Sequence, residues 1–388
     1  MASLIVAGGG IAGLAAAIGA ARAGHEVLVL EQAPAFSELG AGIQIGPNGR
    51  RALEELGAWE WLRHHVFFPR AIRIRRARSG GELGRVPLGE AFRRRFRGTY
   101  QVVHRADLLA ALLAVAENEP AITLKTASRV VAWQRRADTM SVLMEDGRQA
   151  TARGLIGADG IHSRVRAQLL GERRPRFSGH VLYRALVPME DVPELVDTRN
   201  VNLWLNPYGH VVHYPVKGGA AFNIVAAVNE RWNAGDTWGE PTQAQAVHRI
   251  FARACEELLA VLSTPEKWMR WGGADRQPVT TWGEGALTLI GDAAHPTLPY
   301  LASGAVMALE DAVVLMRHLA QEKDLPAAFR AYERERQPRT ARIVNSSWRL
   351  SRVYHASGLM AAGRDAFIRF TSGAASFDRM AWLYDWRP

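Results

Sequence analysis

With 388 residues, 48% of them hydrophobic and 22% charged, the chain can bury a sizeable core, and its length predicts two closely packed lobes. No apolar run approaches the roughly 20 residues that cross a bilayer, and Met1–Ala7 leads into a strand without a basic leader, so a cytoplasmic protein with no signal peptide and no membrane association is expected. One cysteine, Cys255, excludes an internal disulfide or a cysteine-based metal cluster and reads as a packed helical residue, while the net charge of +10 comes from arginine runs at Arg73–Arg78 and Arg93–Arg97 that read as solvated faces and not as a nucleic-acid surface.

Ser3–Ala7 reads as a buried strand, Leu14–Ala23 as a helix of small residues, and Val27–Leu30 as a second strand ending on Glu31. Between the first two lies Gly8-Gly9-Gly10-Ile11-Ala12-Gly13. In that context the glycines have distinct tasks: Gly8 allows a tight turn, Gly10 lets backbone approach a pyrophosphate, and Gly13 permits close helix–strand packing. Glu31, about 20 residues on, would accept the ribose hydroxyls of an adenosine half. The alternative is a glycine-rich turn without a ligand. The next segment, Gly40–Asn48, is rich in glycine and poor in charge, which predicts backbone lying against a flat ligand.

Helices are expected at Gly49–Leu56 and Trp59–Val66, and strands at Ile72–Arg75 and Leu83–Pro87. A strand at Tyr100–His104 leads into a helix at Arg105, which is either a cap or a phosphate or ring contact. Strands at Ile122–Leu124, Ser128–Arg135 and Ser141–Met144 precede Asp159-Gly160, an acid and a glycine at a strand end. Val201–Leu205, His210–Val216 and Ala221–Val228 alternate as strands around turns. Helices at Thr242–Leu262 and a tryptophan-rich stretch, Trp268–Trp282, follow. Leu287–Ile290 reads as a buried strand stopped by Gly291-Asp292, then a loop stiffened by Pro296 and Pro299, an apolar helix from about Ser303, and charged helices from Leu325. The expected domains are a nucleotide-binding lobe over 1–175, with small inserted strands near 70–100, a substrate domain over 176–275, and a return to the first lobe with terminal helices over 276–388.

Three blocks, GGGIAGLAAAIGAARAGHEVLVLE, LIGADGIHSRVR and GDAAHPTLPYLASGAVMALEDA, occur in the order found in the single-component flavin-dependent aromatic hydroxylases, the group with the p-hydroxybenzoate hydroxylase fold, and the chain resembles that group. The third block is most similar to the 3-hydroxybenzoate 6-hydroxylases, and GAGIQIGPN is shared with salicylate and 6-hydroxynicotinate hydroxylases. The resemblance implies an α/β fold: a Rossmann-like FAD-binding domain, an inserted strand-rich substrate domain and C-terminal helices. It implies FAD as cofactor, NADH or NADPH as a transient electron donor, and O2 and a small aromatic molecule as reactants. A homodimer is expected by analogy alone.

By the same resemblance, Gly8, Gly10, Ala12, Gly13 and Glu31 hold the ADP half of FAD, and Arg105 and Asp292 contact its ribityl–pyrophosphate part. Gln44 and Asp159 are further cofactor contacts, and Gly304, Ala305 and Val306 lie beneath the flavin ring. Hydroxylation through a C4a-hydroperoxide of the flavin needs an electron-rich arene, hence a group able to take a phenol's proton. His210 and Tyr214, on one face of a strand, are the candidates, although His210 could be only a turn residue after Tyr208-Gly209. His213 faces the other way and reads as structural, and His295 as a residue that fixes the flavin loop.

Two departures from the family bear on substrate. Pro299 stands where the 3-hydroxybenzoate enzymes keep a substrate-facing Gln, and Arg76 stands where they keep an Asp. Arg76 could pair with a substrate carboxylate or be a solvated charge. Tyr100 matches a pocket tyrosine. The expected activity is hydroxylation of a phenolic aromatic acid, 3-hydroxybenzoate- or salicylate-like. The alternatives are a heteroaromatic acid such as 6-hydroxynicotinate, or a non-hydroxylating flavoprotein reductase of the same fold.

Overall fold

A computed structural model describes residues 3–36, 41–171, 174–232 and 239–388; Gly40, at the head of the glycine-rich segment, lies outside them. The first lobe is built on a five-stranded parallel sheet in the spatial order Leu287–Leu289, Gly154–Gly157, Leu4–Ala7, Val27–Leu30, Ile122–Lys125. Its three central members, together with Leu287–Leu289, are apolar almost throughout and buried, as expected of strands covered on both faces. One cover is the helix Ile11–Arg22, ten of whose twelve residues are buried. Its small side chains let a second helix, Gly304–Gln321, cross it closely: a Cβ on Gly19 would stand 2.9 Å from the Ala312 carbonyl oxygen.

The second lobe rests on an eight-stranded mixed sheet, ordered Glu240–Thr242, Trp268–Asp275, Arg176–Pro188, Ala221–Asn229, Gly209–Val216, Val201–Asn206, Ala71–Arg76, Glu82–Pro87. The strands near 70–100 therefore extend the sheet of residues 176–275, because Ala71–Arg76 pairs in parallel with Val201–Asn206. The expected helical stretch Thr242–Leu262 is interrupted. Strand Glu240–Thr242 is followed by two short helices, Gln245–Ile250 and Glu256–Ser263, and Cys255 caps the second of them, half-buried.

The helix Leu325–Tyr354 runs for 30 residues in spite of Pro338 inside it and lies across the proline loop, where the Ser347 hydroxyl donates to the Leu298 carbonyl at 2.5 Å. A charge network, buried at Arg336, Asp311 and Glu310 and partly exposed at Arg339, ties it to Gly304–Gln321. Arg336 pairs with Asp311 at 2.6 Å and Glu310 at 2.9 Å, and Arg339 holds Glu310 at 2.7 Å. The other Asp311 oxygen meets His295 Nε2 at 2.5 Å, so His295 does fix the loop. Among the described residues no helix is long and apolar enough to cross a membrane.

Removing Arg336 leaves Asp311 and Glu310 buried with only part of their compensation. Arg336→Ala is expected to destabilise the protein by about 3–5 kcal/mol, read as a lowered denaturant midpoint. A shift of less than about 1 kcal/mol would show that the network is not a stabilising element.

Candidate functional site

Because the first sheet is parallel, the strands Leu4–Ala7, Val27–Leu30, Gly154–Gly157 and Leu287–Leu289 all end at one edge. The turns that follow them deliver Gly8–Gly10, Glu31, Asp159 and Asp292 to a single cavity of about 990 Å³ running between the two lobes. This is where open parallel sheets bind their ligands. Gly8, with φ of +108°, lies so near the neighbouring turn that a Cβ would meet the Ala158 carbonyl oxygen at 2.5 Å. Gly13 does not line the cavity: its Cβ would fall 1.9 Å from the Gly8 oxygen, so it sets how tightly the helix meets the turn. Ala12 does line it, packed against Gly291.

Glu31 is held by its own chain. One carboxylate oxygen accepts from the Gly9 amide at 2.6 Å and the other from the Ala33 amide at 2.7 Å, which leaves their remaining lone pairs to the cavity. Asp159 is occupied differently. It accepts from the Ser163 hydroxyl and from the amides of Arg164 (2.7 Å) and Val165 (3.1 Å), capping the helix Arg164–Leu170, and burial pushes its pKa up. Arg105 and Asp292 both line the cavity, near enough for each charge to act on the other. Asp292 is exposed to the cavity but enclosed by its walls, and this burial raises its pKa while the Arg105 charge opposes the rise. Arg105 is lowered by burial and supported by Asp292.

The helix Gly304–Gln321 opens on the cavity with no side-chain cap, since the Ser303 hydroxyl donates to the Leu301 carbonyl instead. The amides of Gly304 and Ala305 therefore present the positive end of an 18-residue helix to the cavity. Val306 does not share that position. Helical rotation turns its side chain onto the helix Pro47–Glu55, where a Cβ on Gly49 would approach it to 2.8 Å.

The opposite wall is the face of the eight-stranded sheet. His210, Val212 and Tyr214 alternate along Gly209–Val216 and all line the cavity, while His213 points away and accepts the Trp204 indole N–H at 2.8 Å. His210 Nδ1 lies 3.0 Å from Nε2 of His355, the residue that ends the 30-residue helix, so Nε2 is the His210 atom left for a cavity ligand. Burial, helped by His180, pushes His210 down to about 3; burial, helped by His210 and His180, pushes His355 down to about 2. Both rings are thus neutral at ordinary pH. The Tyr214 hydroxyl sits against Gly42, where a Cβ would come within 2.7 Å of it, and burial raises its pKa, keeping it a donor. Gln44 lines the cavity beside it.

Three substrate-side expectations land differently. Pro299 faces the cavity at the start of a tight turn and offers no N–H. Tyr100 stands behind Gln44, donating to its side-chain oxygen at 2.5 Å, with its ring packed against Phe92 and Tyr384, so it does not line the main cavity. Arg76 is outside altogether, at the end of the penultimate strand Ala71–Arg76, paired with Asp365 at 2.5 Å. Two residues that sequence reasoning passed over do reach this region: His355, behind His210, and Arg184, on the strand Arg176–Pro188. Arg184 had a visible signal, a lone charge in the apolar run Val181–Val187; His355 had none, since only the fold brings it beside a residue 145 positions away.

Residues 1–347 match the family model described as FAD binding domain. The chain is 40% identical to a 3-hydroxybenzoate 6-hydroxylase of Polaromonas naphthalenivorans (strain CJ2) over 99% of this chain and 96% of that one. Among solved structures it is similar to a variant of Klebsiella pneumoniae HpxO complexed with FAD (TM-score 0.88, 25% identity, covering 99% of both chains). It is also similar to a salicylate hydroxylase substrate complex (TM-score 0.83, 26% identity, 99% of this chain and 95% of that one).

Two outcomes are expected. Gly13→Val drives a side chain into the Gly8 carbonyl, so the purified variant should lose flavin absorbance while keeping its far-ultraviolet circular dichroism; a fully yellow variant would count against the turn as a cofactor cradle. His210 and His213, each pushed down to about 3, and His355, at about 2, refuse protons that the unfolded chain takes up near its ordinary value of about 6.5. Stability should therefore hold above pH 6.5 and fall as pH drops below it, by up to about 1.4 kcal/mol per unit for each histidine. His355→Gln should flatten that fall in a series of thermal melts.

Proposed function

The chain belongs to the FAD-binding domain family and is an FAD-dependent aromatic hydroxylase that draws electrons from NADH or NADPH, and we propose that its substrate is a phenolic aromatic acid, 3-hydroxybenzoate- or salicylate-like. The cavity fits FAD: the turn at Gly8 has no room for a Cβ, Glu31 is pre-set for ribose hydroxyls, and an uncapped helix end awaits an electron-rich group. In this reading Gly8, Gly10, Ala12 and Glu31 hold the ADP half. Arg105, Asp159 and Asp292 border the chain that follows, and Gly304 and Ala305 support the ring edge beside Gln44. Bound FAD, once reduced by NAD(P)H, supplies an electrophilic oxygen derived from O2.

The remaining work falls to this chain's own groups. Val212, Val225 and Leu182 line the cavity beside His210 and limit the water that reaches the reacting ring. The observation that carries the reading is His210: a buried, neutral imidazole whose Nδ1 is fixed by His355 and whose Nε2 is left to the cavity. A phenolic hydroxyl placed there can donate a hydrogen bond to Nε2 when Nδ1 carries the hydrogen shared with His355, which draws electron density onto the ring oxygen, and Tyr214 offers a second polar contact further along the same strand. In this scheme His210 accepts the hydrogen bond of the substrate hydroxyl as a neutral imidazole, and His355 positions it. We further place the enzyme in the cytoplasm, as a homodimer.

The test is a substrate panel of 3-hydroxybenzoate, salicylate and 6-hydroxynicotinate with labelled O2. One of the two phenolic acids should accelerate NAD(P)H oxidation and gain one labelled oxygen; reduced-cofactor oxidation that yields only hydrogen peroxide with every compound would refute the proposal. His210→Gln should keep FAD and lower kcat/KM by about 100-fold or more. Unchanged turnover would remove His210 from the mechanism.

A further inference from the structure

Arg184 sits in the middle of the eight-stranded sheet, in register with Val225 on one side, and Val225 in turn with Val212. It projects into the cavity with Leu182, and among the described residues that this sheet contributes to the cavity it alone carries a permanent charge. Its guanidinium lies 5.0 Å from the Trp271 ring centre, and its Nε has no hydrogen-bond acceptor among the described residues. The charged group it senses is another cation, Arg105; the third neighbour is the Tyr214 phenol. Burial and Arg105 push Arg184 down to about 10, so it is still charged at neutral pH.

A half-buried guanidinium whose Nε is shut in without an acceptor, beside a second cation, is costly unless an anion meets its terminal nitrogens. Arg105 differs, because Asp292 already answers its charge. Arg184 also lies two strand spacings, roughly 10 Å, from the strand of His210 and Tyr214, on the same face of the sheet. A small ring between them would present one polar substituent to each side. Neither Arg76, committed to Asp365, nor Pro299, without a donor, can take the acid end.

Resting on the phenolic-acid reading, we infer that Arg184 is the anchor for the carboxylate of the arene substrate, holding the ring so that its hydroxyl reaches His210. The site selects anionic arenes over neutral phenols of the same shape, and the charge of Arg184 makes the selection.

The experiment titrates FAD-loaded enzyme with 3-hydroxybenzoate and salicylate, and with the amide of each, following the flavin spectrum. The wild type should bind the better acid at least about 30-fold more tightly than its amide. Arg184→Gln should weaken that acid by about 30-fold or more and change its amide by no more than about threefold, with FAD content unchanged; Arg184→Lys should keep part of the preference. Equal binding of acid and amide by the wild type, or equal weakening of both in Arg184→Gln, would overturn the inference. Loss of FAD from both variants would assign Arg184 to the flavin and overturn it as well. A wild type that binds none of the four compounds and hydroxylates no phenolic acid would refute the underlying reading, and this inference with it.

Discussion

Parallel strand pairing is the constraint on which the site depends. Leu4–Ala7 takes Val27–Leu30 on one side and Gly154–Gly157 on the other, and Leu287–Leu289 joins beyond, so chain segments more than 280 residues apart finish at one edge. Any residue just past those ends is delivered to the same place whatever its position in the chain. The buried network of Arg336, Asp311 and His295 then holds the last of those turns against two long helices, which keeps Asp292 and the opening of Gly304–Gln321 in fixed relation to Gly8.

The cavity joins two unlike surfaces. On the parallel-sheet side the polar groups include backbone amides, a pre-bonded glutamate, the helix-capping Asp159 and the Arg105–Asp292 pair, so that several charges there already have protein partners. The other side is a β-sheet face carrying neutral imidazole, phenol, aliphatic side chains and one guanidinium. Low polarity strengthens each remaining electrostatic contact, so a few groups suffice to orient a small ring there.

How much of this was legible depended on how local the cause was. The turn from Gly8 to Gly13 and the acid at Glu31 are set by sterics and hydrogen bonds within a single βαβ unit, and the sequence displays them directly. The facing of His210 and Tyr214, and the opposite facing of His213, follow from strand alternation. The arginines show where such reasoning ends. Alternation states which side of a strand Arg76 or Arg184 occupies, but not what covers that side. Arg76 is met by Asp365 from a helix 289 residues later, and Arg184 by an open cavity. The side chain of Val306 shows the same limit on a smaller scale, since one further step of rotation along the helix turns it onto Gly49.

The uncapped end of Gly304–Gln321 couples the stability of the fold to what occupies the cavity. The amides at that helix end line a cavity between the two lobes, where a bound molecule can accept from them. Whatever binds only the native form deepens its free-energy well by mass action, by about 2.7 kcal/mol at a hundredfold excess over Kd. Molecules with the cavity filled would thus open to proteases less often than those without.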